Sequence, residues 1–491
     1  MEMNKEVIPV QRDIEENKAY LAEELAVDKN FDIIELPLEY NGTKMLMYMV
    51  DGFVKDAAMT QIQRELDHLG WAGERIENVQ SLIQSRIPYI ELETSDDLNE
   101  TVNQILSGPA ALIVDGEDQV IIIDTREYPV RSLEEPETEQ VVRGAKDGFV
   151  ETIVFNTALT RRRIRDRNLR MEHTRVGRRS LTDVCVSYID DIASDDMVER
   201  IREGLDRVTI DGLPMADKTI EEYLFGQYLN PYPLVRYTER PDTAAAHLLE
   251  GHVLIYVDGS PTAIIVPCTY WHHMQHAEEY RQKPIIGTMH RIIRHIAVLS
   301  SLFLLPLWYV FASDAITVPE YLSYIGIEDK GEVPLLAQFI MAEIGIEMLR
   351  MAAIHTPSAL ATSLGLVAAI LIGQVAIDVG LFSSEVILYL SVAAIGSFAT
   401  PSYELSLANR LWRIIFLFAA AFAGAPGFVF VITIWILILV TLRPAGVPYC
   451  WPFIPFSFSN LGDIFKRKPI PLKNKRPTAL DVRDLDKQPY P

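Results

Sequence analysis

The sequence is short of cysteine, short of positive charge and, before His295, without long apolar runs. Its three cysteines, Cys185, Cys268 and Cys450, are widely separated and show no CxxC spacing. They support neither a disulfide framework nor a cysteine zinc site, which suits a reducing compartment. Lys and Arg number 45 against 67 Asp and Glu, a formal charge of −22. Phosphate binding needs a basic face, so nucleic acid is not expected as a partner, and the acidity is read as serving solubility. No GxGxxG, P-loop, GxSxG or HExxH pattern occurs, so neither an enzyme activity nor a cofactor is expected. The start, MEMNKEVIPVQRDIEENKAY, has no apolar core and is not read as a cleaved signal peptide.

At 491 residues the chain exceeds a single core, and its uncharged runs divide it. His295–Ser313, Thr356–Ile377, Val386–Tyr403 and Ile414–Leu442 are each near or above the roughly 18 residues of a spanning helix. The fold class expected is an α/β cytosolic domain of two duplicated subdomains, followed by an all-α polytopic membrane domain of about four to six segments. The boundaries expected are a frayed or helical leader over 1–30, subdomain 1 over 31–130, a basic linker or helical connection over 131–180, subdomain 2 over 181–290, the transmembrane domain over 291–442 and a basic cytosolic tail over 443–491.

The duplication rests on turn chemistry. FDIIELPLEYNGTKMLMYMVDGFV reads as two strands around Asn41-Gly42. LNETVNQILSG followed by AALIVDGEDQVIIID reads as helix, glycine stop and Asp-Gly hairpin, and the order returns in TAAAHLLEG and HVLIYVDGSPTAIIV. Gly108, Asp115 and Gly116 each stand 143 residues before Gly251, Asp258 and Gly259. A shared register of three residues points to repeated units rather than two unrelated hairpins.

Between them lies a basic run with Arg161, Arg162, Arg163, Arg165, Arg167 and Arg170. It suits either anionic lipid headgroups or the acidic face of a neighbouring subunit, or pairs with the chain's own carboxylates. In WHHMQHAEEY, His272 and His276 have ligand spacing, but the surroundings favour an interfacial polar patch over a metal site, and no metal is expected. Arg281, Lys283, Arg291 and Arg294 precede the first span, which places the N-terminal domain in the cytosol. Arg410 and Arg413 mark a cytosolic amphipathic stretch, PSYELSLANRLWR. The run 414–442 is broken at GAPG, residues 424–427, as a kink or a hairpin, and the basic tail favours the hairpin.

The candidate site is PLLAQFIMAEIGIEMLRMAAIHTP, an apolar stretch with Glu343, Glu347 and Arg350 on one helical stripe. Intramembrane carboxylates suit an ion path, with Asp378 as a vestibule charge. An interfacial amphipathic helix and a structural Glu347–Arg350 pair are the alternatives.

Longer motifs carry a resemblance. EPETEQVVRGAKDGFVETIVFNTALTRRRIRD, YTERPDTAAAHLLEGHVLIYVDGSPTAIIVP, IGQVAIDVGLFSSEVI, ATPSYELSLANRLWR and PAGVPYCWPFIP resemble the A subunit of the spore germinant receptor family, the GerA family. The resemblance runs from about residue 30 to Pro477. It implies an integral protein of the spore inner membrane that forms a homo-oligomer, a pentamer in the family picture, and acts as a cation channel contributing to ion release in germination. It further implies a small membrane partner protein and other germinant receptor subunits as partners. A non-conducting scaffold or signal-relay subunit is the alternative. The resemblance gives no residue-by-residue pore lining, so Glu343, Glu347 and Asp378 stand on charge and helix face.

Overall fold

The computed structural model describes residues 7–72, 79–85, 87, 91–128, 139–226, 228–313, 325–327, 333–355 and 373–488. Most of the run Thr356–Ile377, most of the loop between the first two apolar helices and the acidic residues 131–138 lie outside them. The chain divides into two compact units: Met1–Gly226 with Val235–Pro267 and Ile470–Pro491, and Gln227–Leu234 with Cys268–Pro469.

The first unit repeats one element order. Repeat 1 comprises α1 (Ile14–Glu24), β1 (Ile33–Tyr40), β2 (Thr43–Val50), α2 (Asp56–Ala72), α3 (Val79–Ser85), β3 (Leu92–Ser95), α4 (Leu98–Ser107), β4 (Ala110–Val114) and β5 (Val120–Ile123). Repeat 2 comprises α5 (Ile153–Arg161), β6 (Leu169–Val176), β7 (Thr182–Ile189), α6 (Asp195–Asp206), α7 (Ala216–Phe225), β8 (Arg236–Thr238), α8 (Pro241–Leu248), β9 (Val253–Val257) and β10 (Ala263–Val266). The two antiparallel sheets share one strand order, β1-β2-β4-β5-β3 and β6-β7-β9-β10-β8.

Period-two side chains explain the layering. Leu46, Tyr48, Val50, Ala111, Ile113, Val120 and Ile122 pack in one core with Leu21 of α1 and Val102 and Ile105 of α4. Met45, Met47, Met49, Leu112, Val114 and Ile121 fill the opposite core with Ile62 and Leu66 of α2 and Leu82 of α3. A sheet covered on both faces needs apolar residues at every position, hence the unbroken runs AALIV and VLIYV. Asn41 (φ 53) and Gly42 (φ 81) make the β1–β2 turn as expected. Gly108 and Gly251 both take positive φ, 120 and 97, where their helices turn into the central strand.

Helices occupy both stretches expected outside the subdomains. α1 lies within 1–30 and packs on repeat 1: its Asn17 is fully buried, accepts from the Gln11 amide at 2.8 Å and donates to its carbonyl. Asn156 of α5 does the same with Val150. α5 and β6 fall inside 131–180, so within the expected connection residues 153–176 form the opening of repeat 2. Polar edge-strand residues such as those of LRMEHTRV read as linker because half of them face out.

The second unit is helical: α9 (Ala277–Arg281), α10 (Pro284–Ala312), α11 (Leu335–His355), α12 (Ser384–Phe398), α13 (Tyr403–Thr441) and α14 (Phe458–Phe465). α10 and α13 are long and apolar enough to cross a membrane, and α12 is a shorter apolar helix. α10 and α12 approach closely, since a Cβ on Gly396 would stand 2.3 Å from the Ala297 carbonyl oxygen.

α13 is not straight. Gly424 has φ 59 and ψ −150, a conformation open to glycine alone. The rings of Phe416 and Trp435 lie 6.0 Å apart, where a straight helix would separate the two residues by about 28 Å. The Tyr232 hydroxyl bonds both Asn409 Oδ1 (3.2 Å) and Trp435 Nε1 (2.6 Å), one on each arm. The GAPG break is therefore a helical hairpin, with arms 403–423 and 425–441.

Candidate functional site

The site lies where α11 meets the first arm of α13. Glu343, Glu347 and Arg350 recur at steps of four and three residues, which puts them on one stripe of α11. Arg413, Arg410 and Tyr403 form the matching stripe on α13, in antiparallel order. Glu343 pairs with Arg413, with Nη2 at 2.7 Å from one carboxylate oxygen and 2.8 Å from the other. Glu347 pairs with Arg410 and with Arg350. Arg350 Nη1 then donates to the Tyr403 hydroxyl at 3.1 Å, with its guanidinium 5.2 Å from that ring's centroid.

Burial grades along this ladder. Both side chains of the Glu343–Arg413 pair are 4% exposed, whereas Glu347 is 33% exposed. Arg413 Nη1 also donates to the Ser301 carbonyl of α10 at 2.7 Å, so its charge has a second acceptor. Phe339 and Ala342, on the turns before and beside Glu343, are buried among Leu305, Trp308, Val386 and Leu390. An apolar wall on that side leaves Glu343 only polar partners across the α11–α13 seam. Two carboxylates and three guanidiniums leave the cluster one formal positive charge in surplus.

The sequence missed half of this site. Arg410 and Arg413, expected on a cytosolic amphipathic stretch, continue into the apolar arm and are 10% and 4% exposed. A signal was available: two carboxylates in one apolar span call for cations in another, and Arg410 and Arg413 are the charges inside the later apolar stretch. The suspected Glu347–Arg350 pair is present, with Arg410 as a further partner. Asp378 is exposed as the last residue of the short helix Ala376–Asp378, apart from the ladder. Glu385 opens α12, where the Ser384 hydroxyl donates to it.

The basic run is largely held by the chain's own groups. Arg161 and Asp32 form an ion pair with both side chains wholly buried, joining the repeats. Arg163 pairs with Asp147 at 2.6 Å, and Arg167 pairs with Glu24. The Arg162 guanidinium sits 4.2 Å from the Tyr128 ring centroid, and Arg165 donates to the Tyr128 hydroxyl at 3.4 Å. His272 and His276 are engaged separately: His272 Nδ1 accepts from the Thr269 amide, and His276 Nδ1 caps α9 at Glu278. Glu279, fully buried, pairs with Arg291 at 2.7 Å and with Arg294.

Sequence comparison with known proteins finds relatives over nearly the whole chain. The family described as Bacillus/Clostridium GerA spore germination protein matches residues 19–479. Stage V sporulation protein AF of Bacillus subtilis (strain 168) is 45% identical over 485 residues, covering 99% of this chain and 98% of the relative. Spore germination protein KA of the same organism is 30% identical over 422 residues, 84% of this chain and 77% of that one. A crystal structure of the N-terminal domain of the A subunit of the Bacillus megaterium spore germinant receptor GerK3 matches 54% of this chain and 99% of its own, with 26% identity and a TM-score of 0.43. The chain belongs to the GerA family of spore germination proteins and is a membrane protein of that family.

Proposed function

We propose that this chain acts in spore germination as the subunit of an oligomeric cation channel in the spore inner membrane, and that it adds to the ion release that accompanies germination. In this reading α11 faces the path in the conducting form. The observation that supports it is the pair of carboxylates one helical turn apart on an apolar helix, Glu343 and Glu347, held by arginines of a different helix. Across symmetry-related copies such carboxylates make rings that replace a cation's hydration. Here Arg413 and Arg410 occupy them, so this form is latched, and opening requires the α11–α13 seam to part. Copies of itself, a small membrane partner and other germinant receptor subunits are the partners of this reading, and the N-terminal unit lies in the cytosol.

The test is cation release from germinating spores whose sole copy carries Glu343→Gln or Arg413→Gln. Glu343→Gln is expected to slow release, and Arg413→Gln, which frees a carboxylate, to make spores leak before the stimulus. Unchanged release in both, at equal protein levels, removes the ladder from the path.

One observation favours a second reading, a non-conducting scaffold or relay subunit. The cluster's surplus positive charge repels a cation as it stands. Absence of flux from reconstituted protein, alone and with its small partner, selects that reading.

A further inference from the structure

The two repeats are closed by different pieces of chain. In repeat 1 the chain continues from β5 along residues 124–128: the Glu127 amide donates to the Phe53 carbonyl at 2.6 Å. A Cβ on Gly108 would stand 2.8 Å from the Arg126 side chain. In repeat 2 the chain leaves this course after β10, because Pro267 is followed by the second unit.

Residues of the C-terminal tail take the vacated course. The Arg483 amide donates to the Ile192 carbonyl at 3.0 Å, and a Cβ on Gly251 would stand 2.3 Å from Val482. Phe53 and Ile192 are equivalent, because their amides bond back to Val50 and Ile189, the last residues of β2 and β7, at 3.2 and 3.0 Å. Gly108 and Gly251 are equivalent by the repeat register. Arg126 thus corresponds to Val482 and Glu127 to Arg483, two contacts in a single register.

We propose that the cleft of repeat 2 beside Gly251, Ile192 and Glu250 is a peptide-binding site whose ligand is the chain's own segment 473–487. Seated in cis, this segment completes the repeat. Its apolar key is Leu480 and Val482, 2% and 8% exposed. Its ionic clamp is Lys473 and Lys487 on the Glu250 carboxylate. Arg476 donates to the Leu249 carbonyl at 2.9 Å and braces the segment through Asp484 at 2.7 Å. The absence of a side chain at Gly251 is what admits Val482.

The test uses the full chain purified in detergent and a version ending at Leu472, each titrated with a fluorescent peptide of residues 473–488. Saturable binding to the shortened chain, at least about tenfold weaker to the full chain and about tenfold weakened by Glu250→Lys, is the expected result. Equal binding to both chains, or none to a shortened chain that still melts cooperatively, overturns the proposal. Should the shortened chain not fold, Asp195→Cys with Arg483→Cys in the full chain, treated with a short bismaleimide, decides. Arg483 pairs with Asp195, so a link within one chain is expected. Links between chains, or none, contradict seating in cis.

Discussion

Replacing Glu343 by Gln tests the ladder most sharply, because the structure grades its two carboxylates. Glu343 and Arg413 are each 4% exposed, so Glu343→Gln leaves the Arg413 charge buried with the Ser301 carbonyl as its remaining acceptor. Removing one partner of a buried pair costs about 3–5 kcal/mol. The Ser301 bond and the retained amide oxygen argue for the lower end, about 3 kcal/mol. Glu347 is 33% exposed, and water screens its loss, so Glu347→Gln should cost about 1 kcal/mol. At about 2–4 °C per kcal/mol for a unit of this size, the expected falls in melting temperature are about 6–12 °C and about 2–4 °C. Thiol-reactive dye unfolding in detergent reads both, because Cys268, in the same unit as the ladder, is buried and labels on opening. The double variant Glu343→Gln with Arg413→Gln should recover more than half of the loss, a coupling well above about 0.5 kcal/mol. Equal effects of the two single variants, or no recovery in the double, would refute the burial argument.

Other outcomes follow from the same reasoning. Asp32→Asn should destabilise the first unit by about 3–5 kcal/mol, because it strands the wholly buried Arg161, whereas Asp32→Leu with Arg161→Met should be near neutral; proteolysis between the repeats reads both. Gly424→Ala should prevent the α13 reversal, which requires φ 59 with ψ −150, and should lower the yield of folded protein more than Gly462→Ala, where a Cβ meets open space. Burial, aided by the neighbouring His252, lowers His247 to about 3, and burial lowers His252 to about 4. Both bases bind protons more readily unfolded, so stability is full above about pH 6.5 and falls by up to about 3 kcal/mol per unit as pH drops towards 4. A pH series of melting temperatures that stays flat from 7 to 4 would contradict their neutral burial.

What could be read in advance was what local chemistry dictates. The repeat was legible because a left-handed turn selects glycine, so Gly108 and Gly251 with two Asp-Gly turns keep a register that substitutions elsewhere blur. The hairpin at 424–427 was legible as a break, and the preference for a hairpin agrees with the contacts between its arms. The edges of repeat 2 were not legible, since Arg161 at the end of α5 and Arg167 just before β6 bind acids far away in sequence, Asp32 and Glu24. The ladder was half legible for the same reason: Glu343 and Arg413 are 70 residues apart, and only charge balance links them. The tail gave no sign of its seat, because its pattern makes sense only beside the cleft that β10 leaves open.

The central claim is conduction, and flux across a bilayer tests it most directly. Purified protein, alone and with its small membrane partner, is placed in potassium-loaded liposomes and efflux is followed with and without Arg413→Gln. The account expects cation efflux that Arg413→Gln raises and Glu343→Gln suppresses. No efflux in any of these preparations, from protein that melts cooperatively, would contradict it.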